Sequence, residues 1–136
     1  MSLRLYLVSW VIFMAKILIV DDSETLRIQL REALENSGHD VIEGVDGVDG
    51  LKKANENKDV NLIITDFNMP QMDGVTMASK VREIPEFSKV PMLMLTTEAT
   101  PDIKAAGKQA GILAWIVKPL VSEKLIPAIE KVLARS

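Results

Sequence analysis

The sequence predicts an α/β fold in which a five-stranded parallel sheet carries helices on both of its faces. Short apolar runs alternate with amphipathic segments five times along the chain, and two of the runs end in acidic residues. Continuous apolar runs are typical of strands that are buried on both faces. Repeated strand-helix units form parallel sheets with right-handed crossovers.

Five segments are predicted to be strands because each is a short apolar or β-branched run bounded by turn residues. A chain of 136 residues that holds these strands and the helices between them has room for one core and no second domain. The predicted strands cover residues 17–20, 41–43, 62–64, 91–95 and 112–117.

Five helices are predicted between and after the strands. The first helix follows Ser23. Asp46 and Thr100-Pro101 provide a capping side chain, in the last case followed by proline at the first helical position. The last helix opens near Ser122 and contains Pro127, and an interior proline costs about 3 kcal/mol because it loses a backbone hydrogen bond. We therefore expect a late start or a kink there. The apolar positions at helical spacing are Leu26, Leu30, Ala33, Leu34, Val48, Leu51, Ala54, Val75, Ala78, Val81, Leu125, Ile126, Ile129 and Leu133, of which the last four are expected to point inward.

The composition fits an ordinary globular protein, with 48% apolar and 26% charged residues. A net charge of −3 leaves no basic surface to attract nucleic acid, so we expect no such partner. The chain has no cysteine, which excludes disulfides and thiolate-bound zinc. This is compatible with the reducing cytoplasm, where we expect the protein to reside.

Residues 1–14 form a nearly unbroken apolar run whose one charge is Arg4. The run is too short to span a bilayer, which takes about 20 apolar residues, and it has no small-residue cleavage pattern. We expect an extension that arises from a mis-assigned start or from residues added for expression, with Met14 as the natural first residue. Residues 15–136 would then form the functional domain, and an ordered extension would cover a sheet edge or a neighbouring molecule.

The acidic strand ends are the main candidates for chemistry. Because the carboxyl ends of parallel strands meet at one edge of a sheet, Asp21, Asp22 and Asp66 are expected to lie close together. Two carboxylates about 4 Å apart repel by roughly 4 kcal/mol near a surface, so the cluster requires a cation or protons. Mg²⁺ suits an oxygen-only site. Zinc and copper prefer cysteine or histidine ligands, and none is expected nearby. The only histidine, His39, is expected to be exposed at a strand start.

Two other strand ends carry groups that suit a phosphoryl oxygen. Lys118 closes the fifth strand with an ammonium group, and Thr96 and Thr97 close the fourth with hydroxyl groups. Phosphoryl transfer needs mainly in-line positioning and charge stabilisation, which a metal, a lysine and a hydroxyl can provide around a nucleophilic carboxylate.

These motifs resemble the receiver domains of the response-regulator family. Along residues 15–134 the chain is most similar to the stand-alone CheY-type chemotaxis regulators. The resemblance is carried by LIVDD at 18–22, by TDFNMP at 65–70, by Thr96 and by Lys118-Pro119. It implies a flavodoxin-like sheet with strand order 2-1-3-4-5 and a cis peptide bond between Lys118 and Pro119.

The resemblance also implies roles for the acidic residues. Asp66 would accept the phosphoryl group, and Lys118 would assist it. Asp22, Asp66 and the backbone carbonyl of Asn68 would hold Mg²⁺, with Asp21 acting through water.

A conformational switch is implied for Thr96 and Trp115. In the family, phosphorylation draws the threonine inward, and the aromatic side chain turns into the vacated space. The surface of helix 4, strand 5 and helix 5 changes as a result, and partners bind there. Trp115 is larger than the tyrosine or phenylalanine often found at this position.

The resemblance implies a monomeric, single-domain switch of a two-component system that is not an enzyme beyond autophosphotransfer and slow autodephosphorylation. The expected phosphoryl donor is a sensor histidine kinase or a histidine phosphotransfer protein. The expected target is a protein such as the flagellar motor switch, which makes chemotaxis the leading interpretation, with a phosphorelay intermediate as an alternative. No membrane association is expected.

Two alternatives from other classes fit the sequence less well. An aspartyl-phosphate phosphohydrolase would carry a second aspartate two residues after the nucleophile, where this chain has Asn68, and would have a cap domain. A flavodoxin-like carrier of FMN would need glycine and hydroxyl groups in the first loop, where Asp21, Asp22 and Ser23 would repel the phosphate.

Overall fold

The computed structural model describes residues 14–135 and has the predicted architecture. Five parallel strands form one sheet in the order β2-β1-β3-β4-β5, which is the order that the family resemblance implied. The strands are β1 (Lys16–Val20), β2 (Asp40–Gly44), β3 (Leu62–Asp66), β4 (Met92–Thr96) and β5 (Ala114–Val117). The helices are α1 (Glu24–Asn36), α2 (Gly47–Glu56), α3 (Gly74–Arg82), α4 (Pro101–Gln109) and α5 (Ser122–Arg135), with a 3₁₀ helix at Pro85–Phe87.

The sheet is covered on both faces, as the apolar strands require. Ile17 and Ile19 of β1 pack in a cluster with apolar residues of α1 and α5. Leu18 and Val20, which point the other way along the same strand, pack with residues of α2 and α3. Each side chain of this size contributes about 1.5–3 kcal/mol when it leaves water, so burial on both faces accounts for the unbroken apolar runs.

The fifth strand begins at Ala114, two residues later than predicted. The reason is the end of α4, where Gly111 adopts a positive φ of 80°. The backbone N–H of Gly111 donates to Lys108, and that of Ile112 donates to Gly107. These two bonds form a helix C-cap, so Ile112 closes the helix and does not enter the sheet.

The last helix runs unbroken from Ser122 to Arg135 with Pro127 inside it. The predicted late start is therefore wrong. The carbonyl of Val121 accepts hydrogen bonds from the backbone N–H groups of Lys124 and Leu125, which begins the helix ahead of the proline. A bend at the proline stays a prediction.

The expectation of an exposed histidine is also wrong. His39 is only 5% exposed. Its Nδ1 accepts a hydrogen bond of 3.1 Å from the backbone N–H of Ala15, and its Nε2 lies 2.8 Å from Oε1 of Glu130 on α5. The side chain therefore ties the starts of β1 and β2 to the last helix.

The expected extension at residues 1–14 lies outside the described residues except for Met14, and its interpretation stays a prediction. Within residues 14–135, none of the helices has the length and apolar character that a bilayer span requires.

Candidate functional site

The acidic strand ends meet at one edge of the sheet. β1 and β3 are neighbours with Val20 opposite Thr65, so the residues that follow them share that edge. One carboxylate oxygen from each of Asp21, Asp22 and Asp66 lies within 4.8 Å of the others. Asp21 and Asp66 are buried, and Asp22 is exposed, so solvent reaches the cluster from one side.

Lys118 brings a positive charge to the three carboxylates. Lys118 follows β5, and its Nζ lies 3.1 Å from Oδ1 of Asp66 and 3.3 Å from Oδ2 of Asp21. Its backbone N–H donates to the carbonyl of Thr96, which continues the ladder between β4 and β5. The peptide bond between Lys118 and Pro119 is cis, as the resemblance implied.

The pKa values of Asp66 and Lys118 are shifted by burial and by neighbouring charges. Burial raises the pKa of Asp66, the negative charge of Asp21 raises it further, and Lys118 offsets these effects only in part. Burial lowers the pKa of Lys118, but its hydrogen bond to Asp66 and the charges of both carboxylates outweigh burial, so its pKa lies above the ordinary value. The site thus keeps an ammonium group between two carboxylates, and the pKa of Asp66 lies above the ordinary carboxyl value.

Asp21 is fixed by several bonds besides that to Lys118. Its Oδ1 accepts a hydrogen bond of 2.8 Å from the backbone N–H of Ser23, and its own N–H donates to Gly44 of β2. Its carbonyl accepts a 2.7 Å hydrogen bond from Nη1 of Arg27. Sequence reasoning missed Arg27, and the available signal was a long basic side chain one turn into the helix that begins beside the acidic pair.

The loop after β3 is held close beneath Asp66 by a glycine. The N–H of Gly74 donates to the carbonyl of Phe67, and a Cβ at position 74 would lie 2.2 Å from the carbonyl oxygen of Asp66. Any larger residue would displace that backbone. Asp73 caps α3 through a bond to the N–H of Thr76, which sets where the loop ends.

The remaining predicted residues, Thr96, Trp115 and Asn68, have other contacts or are exposed. Thr96 is buried, and its hydroxyl donates a 2.7 Å bond to the carbonyl of Glu98 in the loop after β4. Trp115 is half-buried, and its ring lies against Gly107 of α4. Asn68 is exposed two residues after Asp66.

The three carboxylates fit a hard divalent cation. The donor set is oxygen only, and one member is open to solvent, which suits an ion that keeps several waters. Neither imidazole nor thiolate belongs to the group. This arrangement can hold Mg²⁺ beside a carboxylate and an ammonium group, which is a setting for phosphoryl transfer.

Comparisons with known proteins agree with this chemistry. The model of the response regulator receiver domain matches residues 17–130. Over 119 residues the chain is 38% identical to chemotaxis protein CheY1 of Helicobacter pylori, covering 87% of this chain and 96% of that protein. The solved structure of chemotaxis protein CheY4 of Vibrio cholerae is similar, with a TM-score of 0.84, 39% identity, and coverage of 88% of this chain and 98% of that one. The CheX-CheY-BeF3-Mg²⁺ complex from Borrelia burgdorferi is similar with a TM-score of 0.80, 26% identity, and coverage of 87% and 88%.

Proposed function

The chain belongs to the response regulator receiver domain family, whose members are phosphoacceptor switches rather than conventional enzymes, and we propose that its phosphoacceptor is Asp66. The observation that carries this proposal is the contact of Lys118 with both Asp66 and Asp21 at the edge of the sheet. The proposed nucleophile, the acidic pair proposed to bind the metal and a cation thereby lie close together. The donor would be a phosphohistidine on a sensor kinase or on a phosphotransfer protein.

Transfer requires Asp66 in its ionised form. A carboxylate oxygen forms a bond to phosphorus, the phosphorus–nitrogen bond to the donor imidazole breaks, and its electron pair stays on the imidazole nitrogen. The product is an acyl phosphate on Asp66. Lys118 supports the reaction because its ammonium group can follow charge from the carboxylate to the phosphoryl oxygens.

The metal would be held by Asp22, Asp66 and the backbone carbonyl of Asn68, with Asp21 acting through a water molecule. When bound, Mg²⁺ supplies charge neutralisation for the acidic cluster and for the phosphoryl oxygens. The contact of Lys118 with Asp21, at 3.3 Å, would orient the ammonium group toward the phosphoacceptor. The Mg²⁺ in the related complex from Borrelia burgdorferi supports Mg²⁺ as the cation.

The switch would operate through Thr96 and Trp115. To bind a phosphoryl oxygen, the Thr96 hydroxyl must exchange its bond to the carbonyl of Glu98, which releases the loop that leads into α4. Trp115 would respond to a movement of α4 because its ring lies against Gly107 of that helix. The altered face of α4, β5 and α5 would then bind a downstream protein.

The biological setting we propose is chemotaxis, with a monomeric protein in the cytoplasm. The support is the similarity to chemotaxis proteins, of which the chain covers nearly the whole length. A phosphorelay intermediate would use the same site with another target, and no observation of this structure favours it.

The test is phosphorylation by acetyl phosphate in Mg²⁺, followed by intact mass. We expect the wild-type protein to gain one phosphoryl group in Mg²⁺ and none in chelator. Asp66→Asn should gain none. Asp40→Asn is a matched change at the start of β2, at the opposite end of the strands from the acidic cluster, and should behave as wild type. Uptake by Asp66→Asn would contradict the proposal, and so would steady release of phosphate from unrelated esters.

A further inference from the structure

Arg27 joins the acidic loop to the edge strand of the sheet. Its side chain is 13% exposed and donates from two nitrogens in two directions. Nη1 donates a 2.7 Å bond to the backbone carbonyl of Asp21, and Nε donates a 3.0 Å bond to Oε1 of Glu43 on β2. The guanidinium group is a rigid fork, so fixing one arm on Glu43 also fixes the arm that reaches Asp21.

The carbonyl of Asp21 needs this partner because the sheet provides none. The last residue of β1 in the ladders is Val20, which lies opposite Gly44 and Thr65. Asp21 is 1% exposed and lies one residue beyond those pairs, so a side chain replaces the strand partner. An unpaired buried carbonyl would cost about 1–3 kcal/mol.

This carbonyl lies in the peptide group that separates the two acidic residues. A peptide unit is planar, so the direction of the Asp21 carbonyl fixes the N–H of Asp22 and the line between the two Cα atoms. Asp21 and Asp22 each bring a carboxylate oxygen within 4.8 Å of the other. Holding the plane therefore limits how the two residues can turn relative to each other.

Arg27 acts here through geometry, because its charge works against a metal. A cation near a divalent ion repels it, although pairing with Glu43 at 3.0 Å offsets part of that charge. A purely electrostatic role predicts that removing Arg27 tightens Mg²⁺ binding. A positioning role predicts the opposite sign.

We infer that Arg27 is a positioning residue that orients the Asp21-Asp22 peptide group for Mg²⁺ binding. This inference rests on the proposed metal site at Asp22, Asp66 and the Asn68 carbonyl, in which Asp21 acts through water. Loss of groups that orient metal ligands typically lowers metal affinity by 10- to 100-fold. We expect Arg27→Met to weaken Mg²⁺ binding about tenfold, the low end of that range.

Arg31 offers a matched control on the same helix. It pairs with both Glu35 and Glu43 and donates to the carbonyl of Val41, so it belongs to the same ion-pair network without touching Asp21. Arg31→Met should therefore lower stability as Arg27→Met does and leave Mg²⁺ affinity within about twofold of wild type, because the metal ligands keep their own orienting bonds.

The experiment measures Mg²⁺ binding by isothermal titration calorimetry at constant ionic strength, with urea unfolding in chelator to record metal-free stability. Arg27→Lys is the second variant, since it keeps the charge and the long stem but has one ammonium group for two distant acceptors. We expect its Mg²⁺ affinity to fall between those of Arg27→Met and wild type. Unchanged affinity in Arg27→Lys would show that the two-armed guanidinium group is not required and would overturn the inference.

The outcomes separate this inference from the function on which it rests. Wild-type binding together with equal or tighter binding by Arg27→Met would overturn the positioning role and leave the proposed metal site intact. No Mg²⁺ binding by the wild-type protein would overturn both. Weaker binding by Arg27→Met with unchanged binding by Arg31→Met supports the inference.

Discussion

Asp66 and Asp21 are two buried carboxylates that share one cation, Lys118. The pKa of Asp66 is raised, which means that this carboxyl group binds its proton more tightly in the folded protein than in the unfolded chain. The stability that this proton contributes is fully present below the ordinary carboxyl pKa. It is lost as the pH rises through the higher pKa of the folded state, so at neutral pH the ionised group destabilises the metal-free fold.

Asp66→Asn should therefore stabilise the metal-free protein. We expect the free energy of unfolding near pH 7 in chelator to rise by about 1–2 kcal/mol, since a carboxylate pair repels by a few kcal/mol near a surface and Lys118 offsets part of it. The gain should shrink as the pH falls toward about 4, where carboxyl groups protonate. Urea unfolding across this pH range checks the prediction. Asp22→Asn, at an exposed position, should gain less, and a gain in Asp66→Asn that grows toward low pH would contradict the sign.

Gly107 leaves room for the ring of Trp115. A Cβ at position 107 would lie 2.3 Å from Cζ2 of that ring, so alanine forces the ring or the helix to move. Alanine gains about 1 kcal/mol in helix propensity over glycine, but overpacking typically costs 1–3 kcal/mol. We expect Gly107→Ala to lower stability by about 1 kcal/mol and to shift tryptophan emission to longer wavelength.

The emission is measured in a Trp10→Phe background, which leaves Trp115 as the one tryptophan of the chain. Ala105→Gly on the same helix is the control, because it changes helix propensity at an exposed position. It should lower stability without moving the emission. An unmoved emission in Gly107→Ala would contradict the contact.

At the level of elements, the helix starts follow from local chemistry and were predictable. Asp46 and Thr100 were predicted as caps, and each side chain accepts a hydrogen bond from the backbone N–H three residues later, as does that of Ser23. A cap depends on residues within one turn, so the sequence contains all the information. The start of β5 was mispredicted because the apolar run at Ile112 and Leu113 has strand character, while the cap of α4 takes the first of these residues.

Pro127 is the clearest conflict between local preference and tertiary structure. The helix around it persists because Leu125, Ile129 and Leu133 bury their side chains against the sheet. The proline itself is exposed, so alanine would leave no cavity.

Pro127→Ala should stabilise the fold. It restores a backbone N–H that can donate to Glu123 and so removes the cost of an interior proline, about 3 kcal/mol. Alanine also gives the unfolded chain more conformational freedom than proline does, which lowers the free energy of unfolding by about 1 kcal/mol. We expect a net gain of about 1–2 kcal/mol in urea unfolding. Pro101→Ala is the matched control, since Pro101 occupies the first turn of α4, where a proline loses no bond. A gain at position 101 that equals the gain at position 127 would contradict this account.

For the whole molecule, the meeting of Asp21, Asp22, Asp66 and Lys118 was predictable because parallel strands bring their carboxyl ends to one edge. That argument needs only the pattern of apolar runs and their last residues. It fixes which side chains meet and leaves their hydrogen bonds open. The bond of Thr96 to Glu98 depends on the path of the following loop.

Contacts between distant elements were not predictable in the same way. Arg27 reaches Glu43 across the edge of the sheet, and His39 is buried because Glu130 on the last helix lies beside it. Each contact depends on how a helix is placed over the sheet. A single sequence contains no periodic signal for such a contact.

The boundary between the apolar extension and the domain can be tested on the whole molecule. β1 lies between β2 and β3, so both of its edges are already paired, and Ile17, Leu18 and Ile19 are fully buried within the described residues. The matched family region also begins at residue 17. The described residues therefore form a five-stranded sheet with two covered faces.

We expect a chain that begins at Met14 to fold and bind Mg²⁺ as the full chain does. Its free energy of unfolding should lie within about 0.5 kcal/mol of the full-length value, since changes away from the core are usually of that size. Urea unfolding and calorimetric Mg²⁺ titration of the two chains make the comparison. Removal of residues 124–136 is the control of equal length, and it should unfold the protein because α5 carries Leu125, Ile129 and Leu133 into the core. If the shorter chain that begins at Met14 lost more than about 1 kcal/mol, residues 1–13 would have to pack against the domain, and the boundary placed at residue 15 would be wrong.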